Sequence, residues 1–78
     1  MKSLLVRASW DPESSVWVAT SEDVPGLVTE ADTMSALLAK LKVMVPEMLD
    51  ENGHPDGDDV HTFRVVSECE VAFDRLPA

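Results

Sequence analysis

Cysteine, basic side chains and long apolar runs are all scarce in this 78-residue sequence. The single cysteine, Cys69, excludes an internal disulfide and a zinc site built from cysteines. No apolar run approaches the roughly 20 residues that span a bilayer, and Arg7 interrupts the first apolar stretch before a signal peptide could form. We therefore expect one small cytoplasmic domain over residues 1–78, with its core at about residues 4–73.

Basic side chains number six against fifteen acidic ones, which gives a formal net charge of −9. Direct nucleic-acid binding needs Lys and Arg to displace counterions from phosphates, and anionic membranes repel this charge as well. Residues 1–45 hold four basic and six acidic side chains, whereas residues 46–78 hold two and nine. The second half thus carries most of a field that would attract a basic protein, although acidity also keeps small proteins soluble.

The first 31 residues have the pattern of three β-strands. Apolar and polar residues alternate over residues 4–10 and 16–20, and a turn rich in Asp, Pro and Ser separates these two runs. A Val-Pro-Gly break at residues 24–26 then leads into a third run at residues 27–31. These features predict a three-stranded antiparallel meander.

After residue 31 the period changes from two to between three and four, which indicates a helix. Asp32 and Thr33 are both good N-cap residues, and an apolar stripe runs from Met34 to Leu49. Pro46 lies within this stripe, so the pattern predicts either a kinked helix or one that stops near Val45 and restarts.

Residues 52–59 have loop composition, and residues 60–73 alternate as a long fourth strand. The predicted fold is therefore α+β with the order β-β-β-α-β, in which a right-handed crossover places strand four parallel to strand three and next to strand one. One sheet face and two edges would remain uncovered. We expect this surface to bind a partner or to form a homo-oligomer, a dimer or higher.

Three features are candidates for chemical sites, and none favours catalysis, a metal or a cofactor. The loop from His54 to His61 is rich in carboxylates but lacks EF-hand spacing. Cys69 has acidic neighbours and is predicted to be a small buried residue on strand four. Trp10 continues the face that meets the helix, whereas Trp17 is predicted to lie with Leu5 on the open face, as an interface residue.

An ordered set of short motifs resembles the HicB-like antitoxin superfamily. They occupy residues 10–13, 16–19 and 30–33, together with the turn Ser21-Glu22-Asp23-Val24-Pro25-Gly26-Leu27. The resemblance is nearest to a small stand-alone branch of uncharacterised domains that lacks a DNA-binding domain. It implies a partial ribonuclease H-like fold and a small basic partner, a HicA-type toxin that acts as a messenger-RNA interferase. No catalytic residue of ribonuclease H carries over.

Three functions remain open from the sequence. The first is a non-catalytic, antitoxin-like module that neutralises a small basic toxin by occlusion. The second is a self-assembling small domain of separate role, with a small ligand bound between its subunits. The third is an enzyme or metal protein that uses His54 and His61. The partner-binding residues predicted for the first are Trp17, Glu47, Asp50, Glu51, Asp56, Asp58 and Asp59.

Overall fold

The computed structural model describes residues 3–51 and 62–76 of the chain. Its elements follow the predicted order β-β-β-α-β, which confirms the α+β class. The strands and the helix are β1 (Ser3–Asp11), β2 (Val16–Thr20), β3 (Val28–Ala31), α1 (Met34–Glu51) and β4 (Thr62–Glu68).

The four strands form one mixed sheet in the order β3-β2-β1-β4. β1 pairs antiparallel with β2, and β2 pairs antiparallel with β3, which is the predicted meander. β4 joins the other side of β1 in parallel, so its place next to strand one is also confirmed. The helix provides the crossover from one edge of the sheet to the other.

Local hydrogen bonds shape the connection between β1 and β2 and mark the start of the helix. An Asp11 carboxylate oxygen accepts hydrogen bonds from the backbone N–H groups of Glu13 and Ser14, and Ser15 takes a positive φ of 56°. The hydroxyl of Thr33 accepts a hydrogen bond from the N–H of Ala36 at 3.0 Å, so Thr33 is the N-cap of α1.

Helix α1 covers one face of the sheet and continues through Pro46 to Glu51. Of the two predicted alternatives, the structure therefore has the helix that does not stop at Val45. Pro46 is exposed, so its ring faces away from the sheet. The residues of α1 that are buried against the sheet recur every four positions: Leu37, Leu41, Val45 and Leu49.

The predicted placement of Trp17 on the open face with Leu5 is wrong. Trp17 is the register partner of Trp10, and opposite residues of antiparallel strands point to the same side of the sheet. Both rings lie on the face that α1 covers, in an edge-on arrangement with centroids 5.3 Å apart. Trp17 is half-buried and packs against the core.

The fourth strand is shorter than predicted, because it ends at Glu68 rather than at residue 73. Its last partner is Ser9, although β1 itself continues to Asp11 in its pairing with β2. Beyond that point Cys69 is exposed, which contradicts its predicted burial. Val71 and Phe73, predicted to share the inward face, are 76% and 83% exposed.

Candidate functional site

The turn that follows β2 is held against β1 by hydrogen bonds from its side chains to the backbone of β1. They replace the backbone hydrogen bonds that a longer β2 would make there. The hydroxyl of Ser21 donates to the carbonyl oxygen of Leu5 at 2.6 Å and accepts the N–H groups of Asp23 and Val24. The carboxylate of Asp23 accepts the N–H of Leu5 at 2.8 Å. Both backbone groups of Leu5 are thus satisfied where β2 has ended, and Asp23 is held at this end of the sheet.

The next four residues form a tight turn that contacts the helix. The N–H of Leu27 donates to the carbonyl of Val24 at 3.1 Å, and Gly26 has a φ of +83°. Proline followed by glycine with positive φ is typical of a type II turn. Val24 and Leu27 are fully buried, and a Cβ at Gly26 would lie 3.3 Å from the terminal methyl of Met48. The turn and the end of α1 are therefore neighbours.

This packing collects five exposed carboxylates at one end of the fold, which we name the acidic end. Glu22 and Asp23 come from the turn, and Glu47, Asp50 and Glu51 come from the last turns of α1 around Met48. A helix has its negative dipole end at the C-terminus, where cations are stabilising. The last turn of α1 holds no basic residue, so side chains and backbone dipoles present the same sign.

Among the described residues, one cation borders this surface. Arg7 borders a shallow hollow on the open face that Glu22 and Asp23 also line. Its guanidinium, however, lies 3.5 Å from a carboxylate oxygen of Glu68 on β4. Both side chains are well exposed, so this ion pair is weak and solvent-screened.

Of the seven predicted partner-binding residues, the structure brings together Glu47, Asp50 and Glu51. Trp17 is separated from them on the covered face, near the start of α1. Asp56, Asp58 and Asp59 lie outside the described residues, as do His54 and His61.

Sequence reasoning missed Glu22 and Asp23 as members of this surface, because the composition of their segment indicates only a turn. The signal that could have found them is topological. In a β-β-β-α unit the connection after the second strand and the end of the helix lie at the same end of the sheet, so an acidic pair in that connection adds to acidic residues at the helix C-terminus.

Residues 3–51 and 62–76 contain no group of three or more His, Cys, Asp or Glu side chains placed to hold a metal ion. The single helix of that part is not long and apolar enough to cross a membrane.

With this geometry in place, the chain can be compared with known proteins. The model of the family described as "Domain of unknown function (DUF1902)" matches residues 3–74. The chain belongs to this family. The matched range includes every strand, the helix and the whole acidic end.

A solved structure has the same fold. The crystal structure of the hypothetical protein TTHA1013, from the extremely thermophilic bacterium Thermus thermophilus, is 51% identical in sequence and superposes with a TM-score of 0.80. The match covers 92% of this chain and 100% of that one. No curated protein matches the chain.

Proposed function

We propose that this chain is a non-catalytic, antitoxin-like module of the cytoplasm whose acidic end binds a small basic protein. The observation that carries the proposal is that the turn at residues 21–27 packs against the end of α1, so that both segments contribute exposed carboxylates to one end of the fold. Those of Glu47, Asp50 and Glu51 lie at the negative end of the helix dipole. A field of one sign on a small surface attracts and orients a partner of the opposite sign.

The arrangement is unfavourable for the free protein, which supports a binding role. Acidic residues in the last turn of a helix interact with a dipole of the same sign, at a cost of about 0.3–1 kcal/mol each when exposed. Violations of a local stability rule are expected at functional sites, because binding compensates there for what folding loses. A cationic partner would supply the missing counter-charge.

The resemblance to HicB-like antitoxins supports the choice of partner. The turn Ser21–Leu27 belongs to the ordered set of resembling motifs and also contributes part of the acidic end. The partner we propose is a small basic toxin of the HicA type, a messenger-RNA interferase. Neutralisation would occur by occlusion of the toxin surface and by electrostatic complementarity, with no bond made or broken.

The test uses two triple variants with equal net charge. Glu47→Gln/Asp50→Asn/Glu51→Gln neutralises the helix part of the acidic end. Glu13→Gln/Glu70→Gln/Asp74→Asn neutralises three exposed acids on other segments. Each tagged protein is used to recover partners from a lysate of the source cells, and the recovered protein is then purified and its association rate measured over a range of salt concentrations.

We expect the wild type and the control variant to recover the same small basic protein. For the acidic-end variant, the association rate should fall about tenfold at low salt and depend less on salt. The recovered protein should lose its toxicity, or its cleavage of messenger RNA, when the wild type is added. Equal rates for the two variants, or a recovered protein that is not basic, would contradict the proposal.

A further inference from the structure

The two edges of the sheet differ in how well they are protected. β3 has four residues, and the carbonyl of Glu30 on this strand accepts a hydrogen bond from the Lys40 ammonium group. β4 has seven residues and contains neither proline nor lysine. Natural proteins protect an edge that must stay single with short strands, charged residues (lysine above all) or proline. The β3 edge is short and has a lysine bonded to its backbone. Among the described residues, the β4 edge is longer, and its two charges, Arg64 and Glu68, are of opposite sign, so that they can pair with each other in a second copy.

The geometry points to a second copy of this chain as the occupant of the β4 edge. The two β4 strands would pair antiparallel about a two-fold axis, which makes one continuous eight-stranded sheet with both helices on the same side. Pairing a strand with itself in this way gives a closed, self-complementary dimer. The axis would pass midway between the Val66 residues of the two copies.

Charge complementarity selects this register. With the axis at Val66, each Arg64 lies directly opposite Glu68 of the second copy, and the two valines face each other. An axis at Arg64 or at Glu68 would place like charges opposite each other, which is destabilising. An axis at Val65 would leave Arg64 opposite a valine. Only the Val66 register pairs both charges of the strand.

The same register extends a charge row that already exists in one copy. Arg7 lies 3.5 Å from Glu68 on the open face of the sheet. Arg64 of the second copy would approach Glu68 from the other side. Each Glu68 would then lie between two guanidinium groups, that of Arg7 in its own chain and that of Arg64 in the second copy. Because of the two-fold axis, the dimer would contain two such rows of alternating charge.

Exposed apolar surface beside the edge supplies further area for such a contact. Val66 is 39% exposed, and the segment after Glu68 carries Val71, Phe73 and Leu76 at 76%, 83% and 88% exposure. Val66, at the proposed axis, is the part of this surface that the second copy would cover.

The first test is a charge exchange measured by sedimentation equilibrium from about 1 to about 100 µM protein. Glu68→Arg alone and Arg64→Glu alone should each raise the dimer dissociation constant about tenfold, because each creates two like-charge pairs per dimer. The double variant Arg64→Glu/Glu68→Arg should recover most but not all of the loss, because it restores the pairs across the axis but brings a second guanidinium beside Arg7. Glu30→Arg, the same charge change on the protected β3 edge, should leave it unaltered.

The second test is a disulfide across the axis, in chains that circular dichroism shows to be folded. Directly opposite residues of antiparallel strands have Cα atoms about 4.5–5.5 Å apart, within the range of about 4.4–6.8 Å that a disulfide needs. Val66→Cys/Cys69→Ser should therefore form a covalent dimer on oxidation, whereas Val28→Cys/Cys69→Ser should not. A monomeric mass at every concentration, or no rescue in the double charge variant, would overturn the proposal.

Discussion

At the scale of single residues, the acidic end depends on a glycine. Gly26 has a φ of +83° and lies against Met48, so Gly26→Ala should destabilise the fold. An alanine in the left-handed region costs about 1–2 kcal/mol, which in a domain of this size lowers the melting temperature by about 4–8 °C per kcal/mol. Thermal unfolding followed by circular dichroism measures this change.

The same substitution in a Met48→Ala background separates the two causes of the loss. The side-chain contact is a 3.3 Å approach to the flexible tip of a methionine, which can move. We therefore expect most of the cost to remain in that background, because it arises from the backbone. A substitution that is neutral in both backgrounds would show that the turn can adopt a different φ.

The residues of this turn also show what the sequence could and could not predict. A Val-Pro-Gly break is recognisable from composition, and the capping role of Thr33 follows from its place before an apolar stripe. The attachment of Ser21 and Asp23 to Leu5 was not predictable. Ser21 is 16 positions from Leu5 in sequence, and Asp23 is 18 positions from it. No periodicity in the sequence encodes a side-chain hydrogen bond over such a separation.

At the scale of elements, the acidic residues in the last turn of α1 lie at the negative end of its dipole and interact with it unfavourably. Asp50→Asn/Glu51→Gln should stabilise the free protein, by about 0.5–1.5 kcal/mol for the two charges together at low salt. Urea unfolding at low and high salt measures this gain, which should shrink as salt screens the charges. The control Glu13→Gln/Glu70→Gln removes the same net charge away from the helix and should stabilise less. Equal gains in both variants would assign the effect to net charge alone.

Element boundaries were predicted well where they depend on local chemistry and badly where they depend on a neighbour. The helix begins after its cap, as expected, because a cap is a local feature. β4 ends at Glu68 although its alternation continues to Phe73. The last pair between the two strands is Ser9 with Glu68, and β1 continues beyond it only in its pairing with β2. Alternation predicts the faces of a strand but not where its pairing with a neighbour stops.

At the scale of the whole molecule, topology followed from the sequence while the composition of the acidic end did not. The change of hydrophobic period, together with the rule for crossovers, placed β4 beside β1. The face of Trp17 was wrong because alternation within one strand does not reveal the hairpin register, which pairs Trp17 with Trp10. The acidic end was found in part, since its second half comes from a segment more than 20 residues away in sequence.

The net charge of −9 makes the two proposed associations respond to salt in opposite directions. Two copies of this chain repel each other over their whole surfaces, so screening should tighten the dimer as salt rises from about 20 to about 300 mM. The exposed Arg64–Glu68 pairs weaken at the same time, but such pairs contribute little. A complex with a basic protein loses its main attraction under the same conditions and should weaken. Sedimentation velocity of the protein alone and of the purified complex, at both salt concentrations, tests this opposition. A dimer that dissociates with salt as the complex does would mean that local ion pairs, and not net repulsion, dominate its stability.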